Sequence, residues 1–181
     1  GYEWMDHSMY AIDETKIEAE KIIEKNYRDM LLNTKLHGAN IVKDWADKLT
    51  LEYLSSSNIS ISNETNMVSF EGLGVTQQIT QIIQKVFPKQ VVRATGFFHY
   101  PPTGYMGWHT NRNEPCKRLY LTWTNEAKKS FFRYIKDEKV ITDYDDKGLT
   151  SRIFEVTGEE PFFWHCVGSE TDRLSFGFSI K

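Results

Sequence analysis

Apolar residues recur every three or four positions in the first half of the chain and every two in the second. Over residues 13–32, Ile17, Ile22, Ile23, Tyr27, Met30 and Leu31 fall along one helical face, with Asp13 placed to cap its start. Ile41, Val42, Trp45, Leu49 and Tyr53 predict a second helix over 39–54, broken by the stretch 55–62. Ile79, Ile82, Ile83 and Val86 predict a third over 76–87, stopped by Pro88. After Gln90, short aromatic and β-branched runs alternate with turn residues at 91–100, 118–124, 131–135, 151–156, 162–167 and 173–180. Strands in succession with no helix between them predict a mainly β fold, a sandwich or barrel with the N-terminal helices packed on one outer face. The whole chain, 1–181, reads as one domain, with 1–90 as largely helical support and 91–181 as the β core.

Alternation also sorts side chains by face. In 173–180, Leu174, Phe176, Phe178 and Ile180 point one way, and Arg173, Ser175, Gly177 and Ser179 the other. An arginine among small polar residues suits a polar lumen, where it could grip a carboxylate with two charge-assisted hydrogen bonds. Phe163 and His165 point together, opposite Trp164 and Cys166, and His109 shares a face with Asn111, opposite Trp108 and Thr110. Trp108, Trp123 and Trp164 are expected to pack the core. Asp145-Asp146-Lys147-Gly148 reads as a solvated turn without the ligand spacing of a calcium loop, and 136–150 as a hairpin at the rim of the site.

Composition narrows the classes. With 40% hydrophobic and 26% charged residues, the chain has the balance of a globular domain, and no apolar run nears the roughly 20 residues of a membrane span. A net charge of −3 provides no broad positive field for phosphate backbones, so no strong nucleic-acid signal is present. Cys116 and Cys166 are too few for a disulfide framework and no signal-peptide pattern is seen, so a reducing, cytoplasmic setting is expected. The sequons at Asn58 and Asn63 are discounted accordingly.

The run Tyr100-Pro101-Pro102-Thr103-Gly104-Tyr105-Met106-Gly107-Trp108-His109-Thr110-Asn111, then His165, then Arg173-Leu174-Ser175, resembles the iron(II)- and 2-oxoglutarate-dependent oxygenase superfamily. Its prolyl 4-hydroxylase-like and nucleic-acid demethylase-like branches are the nearest in pattern. Residues 118–123 and 131–134 resemble the strands that follow the first metal motif, so the likeness covers about 91–181. The run Tyr105 to Asn111 is also similar to small proteins of marine cyanobacterial phages, which would place the chain in the host cytoplasm. The resemblance implies a double-stranded β-helix barrel of the jelly-roll, cupin-like kind. It implies Fe(II) held by His109, the residue at Asn111 and His165. It further implies 2-oxoglutarate as cosubstrate, its distal carboxylate on Arg173 and Ser175, with Tyr100 or Tyr120 adding a hydroxyl. The hydroxylated substrate is left open among a peptide side chain, a free amino acid and a nucleobase.

Asn111 departs from the pattern, which has an acid there. Its carbonyl oxygen can ligate but lacks the charge that makes carboxylate a strong partner for a divalent ion. Glu114 lies in sequence where the strand should turn before Pro115, and it is a poor substitute. The alternatives are a catalytically silent barrel that binds a carboxylate ligand or a protein partner, and, less favoured, a halogenase, because an amide would fill the position a halide needs.

Overall fold

The computed structural model describes residues 10–37, 65–66, 68–69, 74–110, 115–158 and 163–181. The helix expected over 39–54 lies outside them. The helices are α1 (Tyr10–His37) and α2 (Val75–Val86). The strands are β1 (Thr65–Asn66), β2 (Val68–Ser69), β3 (Val92–Tyr100), β4 (Tyr105–His109), β5 (Cys116–Thr124), β6 (Ser130–Lys136), β7 (Lys139–Tyr144), β8 (Gly148–Val156), β9 (His165–Ser169) and β10 (Arg173–Ile180). They form two five-stranded sheets, ordered β2-β3-β10-β5-β8 and β1-β4-β9-β6-β7, with antiparallel neighbours throughout. Chain-distant strands lie side by side in both sheets, which is the connectivity of a double-stranded β-helix.

The period-two pattern decides where the core lies. Leu174, Phe176, Phe178 and Ile180 of β10 join Leu119, Leu121 and Trp123 of β5 on the outer face of the β2-β3-β10-β5-β8 sheet. Ala19, Ile23 and Met30 of α1 and Val75, Ile79 and Ile83 of α2 cover that face. Tyr27 of α1 packs against Trp123 with ring centroids 4.5 Å apart. Each fully buried Ile, Leu or Phe in such a layer contributes roughly 1.5–3 kcal/mol. The helices thus back the sheet from outside and leave its other face to the lumen. Trp108 packs with Tyr105 and Cys166 in a separate cluster, with Trp164 against it, so the tryptophans serve packing as expected.

Three local expectations change. Asp13 does not cap α1, which is already helical at Tyr10 and runs to His37; no Gly or Pro stops it before Gly38. The strand expected from residue 162 begins at His165. The run from Asp145 to Gly148 does connect strands, but Asp145 is fully buried, not solvated. The expected helix over 76–87 and the strand at Arg173–Ile180 appear within a residue of their predicted ends. Among the described residues, no helix is long and apolar enough to cross a membrane.

Candidate functional site

A cavity of about 380 Å³ opens between the two sheets. Arg173 and Ser175 of β10 line it, together with Tyr100 of β3, Tyr120 of β5, His109 of β4 and His165 of β9. The structure therefore gathers every site residue expected from the sequence except Asn111, which lies outside the described residues. Among those residues, no group of three or more His, Cys, Asp and Glu is arranged to hold a metal.

His109 and His165 face each other as direct cross-strand partners of β4 and β9. The ladder between them is irregular: three steps along β4, from Met106 to His109, run against two along β9, from Val167 to His165. Such a bulge bends a strand and re-aims its side chains. Here it lets Met106 and His109 both face the lumen although they are three positions apart. The Gly107 carbonyl accepts a hydrogen bond from His109 Nδ1 at 2.8 Å, and the Phe163 carbonyl accepts one from His165 Nδ1 at 2.9 Å. A carbonyl can only accept, so each Nδ1 carries the proton and each neutral ring keeps its lone pair on Nε2.

Burial pushes His109 down to about 4, against the opposing pull of the Gly107 carbonyl. Burial and then the neighbouring His109 hold His165 well below its ordinary value. The ring centroids lie 4.1 Å apart, and His165 stacks on Phe132 with centroids at 5.3 Å. His165 Nε2 is buried with no hydrogen-bond partner. Two neutral imidazoles with their lone pairs on one cavity, one of them orphaned, fit the chemistry of a divalent transition metal.

These shifts predict a pH dependence of folding. The unfolded chain takes up a proton near pH 6.5, which the folded His109 refuses until about pH 4. Stability is therefore retained above pH 6.5 and lost as the pH falls toward 4, by about 3 kcal/mol for this one residue. Urea unfolding at both pH values, in the native chain and in His109→Asn, measures it. An equal pH dependence in the two would mean that His109 is not buried neutral.

At the other end of the cavity, Arg173 is 1% exposed. Its Nε donates to Asp145 Oδ2 at 2.8 Å and its Nη2 to Thr122 Oγ1 at 3.2 Å, while the guanidinium lies 5.1 Å from the Tyr100 ring centroid. Its Nη1 is buried without a partner. Arg152 donates from Nη1 to Asp145 Oδ1 at 2.6 Å and from Nε to Asp143 Oδ2 at 2.9 Å, and Ser130 Oγ also donates to Asp145. Burial alone would raise the Asp145 pKa, but Arg173 and Arg152 outweigh it and hold this carboxyl well below the usual carboxylate range. Asp143 is half exposed, so Asp145 is the fully buried acid between two guanidiniums. A second anion from the cavity side would complete this arrangement, and the orphaned Nη1 is the donor left for it.

Asp145 and Thr122 were not legible as site residues from local sequence. Asp145 meets Arg173 across 28 positions, and only the β10–β5 register, Ser175 against Thr122, brings Thr122 beside the guanidinium. The rim expected from residues 136–150 is not found, since none of them lines the cavity; through Asp145 this segment supports Arg173 from behind. Tyr100 points its hydroxyl at Met106 Sδ, 3.9 Å away, a weak acceptor that a carboxylate would outcompete. Burial raises the Tyr100 pKa, so the phenol stays protonated and remains a donor.

The sequence matches no family model and no curated protein. Among solved structures it is similar to a prolyl hydroxylase from Trichoplax adhaerens, held there in complex with a hypoxia inducible factor peptide fragment. That match has 10% identity and a TM-score of 0.51, over 90% of this chain and 78% of that one. A prolyl-4-hydroxylase from Pseudomonas putida aligns at 14% identity with a TM-score of 0.46, over 100% and 92% of the two chains. A viral collagen prolyl hydroxylase from Paramecium Bursaria Chlorella virus-1 aligns at 12% with a TM-score of 0.46, over 99% and 94%. The Trichoplax match establishes a shared fold, and identity at this level assigns no activity.

Proposed function

We propose that this chain, which has the fold of a prolyl hydroxylase, is an iron(II)- and 2-oxoglutarate-dependent dioxygenase that hydroxylates a second substrate. The observation that carries this reading is the pair of neutral imidazoles at one point of a cavity that ends in a buried arginine with an unsatisfied Nη1.

His109 and His165 would hold the metal through Nε2, with Asn111 as a candidate third ligand of weaker donor strength. When bound, iron(II) supplies the redox chemistry by which the 2-oxo acid is oxidatively decarboxylated by dioxygen and the substrate carbon gains a hydroxyl. The rest belongs to the protein. Arg173 receives the distal carboxylate on Nη1, kept in orientation by Asp145 and Thr122. Ser175 and the Tyr100 hydroxyl lie on the same lumen and add donors. The aromatic lining of Phe132, Phe98 and Tyr120 keeps bulk water from the histidines, which strengthens each polar contact made there.

Anaerobic addition of iron(II) and 2-oxoglutarate is expected to give a visible charge-transfer band, and aerobic incubation to give succinate. His165→Ala should lose the band and weaken iron binding by more than the roughly 10 to 100-fold typical of disturbing an outer-sphere partner. Arg173→Ala should weaken 2-oxo acid binding by about 2–5 kcal/mol. Absence of both band and succinate at saturating iron defeats the proposal.

Asn111 favours a second reading, a barrel that binds a carboxylate through Arg173 without redox chemistry. It predicts the same loss in Arg173→Ala but no effect of iron on the affinity.

A further inference from the structure

The lumen face of β5 presents Thr122, Tyr120 and Arg118 in turn, and at about 6.8 Å per two residues these mark three depths of the cavity. Thr122 accepts from Arg173 at the buried end. Tyr120 stands beside the histidines, its ring centroid 6.4 Å from that of His165. Arg118 comes next, opposite Ser179 of β10, so Tyr120, with His165 beside it, lies between Thr122 and Arg118 along β5. Thr95 also lines the cavity and is solvent-exposed, which marks this end as the mouth. Space there is limited: a Cβ on Gly177 would come within 2.9 Å of Thr95 Oγ1 and 3.1 Å of the Tyr120 ring.

Arg118 has no ion-pair partner among the described residues, and its Nε is buried with no hydrogen bond. Arg173 is already engaged by Asp145 and Thr122, whereas nothing described engages Arg118. Arg118 is half-buried, and an Nε–H removed from water without an acceptor is costly unless a ligand provides one.

We infer that Arg118 is the anion-binding position for the primary substrate, and that this substrate is a small carboxylic acid whose carboxylate sits on Arg118 at the cavity mouth. Its reacting carbon then lies toward His109 and His165, on the opposite side from the cosubstrate. Arg118 is the one basic residue lining this end of the cavity among the described residues, which suits a single negative charge better than a phosphate dianion. Its planar fork matches a carboxylate. A neutral nucleobase or an uncharged mid-chain peptide would bring no charge to meet it. The direction of the reacting carbon rests on the dioxygenase reading; the anion site itself does not.

The test uses the full chain saturated with 2-oxoglutarate. A panel of free amino acids and short monocarboxylic acids, each beside its own carboxamide, is titrated in and binding is read by ligand-observed NMR. At least one acid should bind at least about tenfold more tightly than its amide. Arg118→Ala should abolish that preference and Arg118→Lys restore part of it, while 2-oxoglutarate affinity in both variants stays within twofold of the native value.

A panel with no acid preference overturns the inference, as does a preference that survives in Arg118→Ala. Loss of 2-oxoglutarate binding in Arg118→Ala as severe as in Arg173→Ala would assign Arg118 to the cosubstrate instead. Tighter binding of alkyl phosphates than of the acids would overturn the carboxylate assignment. An acid preference that depends on Arg118 in a chain that forms no succinate defeats the dioxygenase reading and leaves this site standing. Succinate formation without any such preference does the reverse.

Discussion

Asp145→Asn should be the most damaging conservative substitution in the chain. The amide is nearly isosteric, so packing is unchanged, but it removes the buried charge that faces both Arg173 at 2.8 Å and Arg152 at 2.6 Å. Breaking a buried pair from one side typically costs about 3–5 kcal/mol, because the partner is left as an uncompensated ion. For a chain of this length that corresponds to a fall in Tm of roughly 6–20 °C. The loss should be partly reversible. Saturating 2-oxoglutarate brings a carboxylate to the now unpaired Arg173, so it should raise the Tm of Asp145→Asn by more degrees than it raises that of the native chain. Calorimetry with and without the acid measures both effects. A loss below about 1 kcal/mol would mean that water or Asp143 compensates Arg173 and Arg152. The Asp145 carboxyl is held ionised well below the usual carboxylate range, so its contribution persists at neutral pH and disappears only in strong acid, below the window in which His109 titrates.

Asn111→Asp is expected to act in the opposite direction. Two neutral imidazoles bring no charge to a divalent ion, so a carboxylate two residues beyond His109 would supply the first negative ligand from the protein. Iron affinity should rise by at least about 10 to 100-fold, or roughly 1.4–2.7 kcal/mol. Iron titration in the presence of 2-oxoglutarate checks this, with succinate release as the second readout. If activity appears only in the aspartate form, the native chain is the carboxylate-binding barrel. If the native chain is already active, the asparagine is a working ligand or lies clear of the metal. An unchanged iron affinity would show that residue 111 does not approach the histidines at all.

Much of this site could be read from short-range pattern. The period-two alternation at 173–180 put Arg173 and Ser175 on the lumen and Leu174 and Phe176 on the core, and the β10 register confirms that sorting. His109 and His165 were placed by the same rule together with motif order. What could not be read depends on strand pairing. Asp145 looks like any acid in a polar turn, and only the meeting of the β7–β8 connection with β10 reveals it as the counterion of Arg173. Arg118 lies beside Lys117 near the start of β5, where nothing local marks it as a cavity residue; the face it shows follows from its pairing with Ser179. The bulge before His109 is invisible as well, because Met106-Gly107-Trp108-His109 satisfies simple alternation without it.

Both cavity-facing histidines sit where the β-ladder lapses. Gly107 has no partner in the β4–β9 register and Phe163 precedes the first paired residue of β9, and each of their carbonyls turns toward the imidazole two positions on. In an unbroken strand those carbonyls would point sideways to a neighbouring strand, and nothing local would hold the proton on Nδ1. Anyone seeking to toughen this barrel would begin by deleting the one extra residue of the β4 bulge and extending β9 backward. The product would be a more regular sheet that still carries both histidines, with each ring at liberty to flip its tautomer and offer a proton where an electron pair is needed.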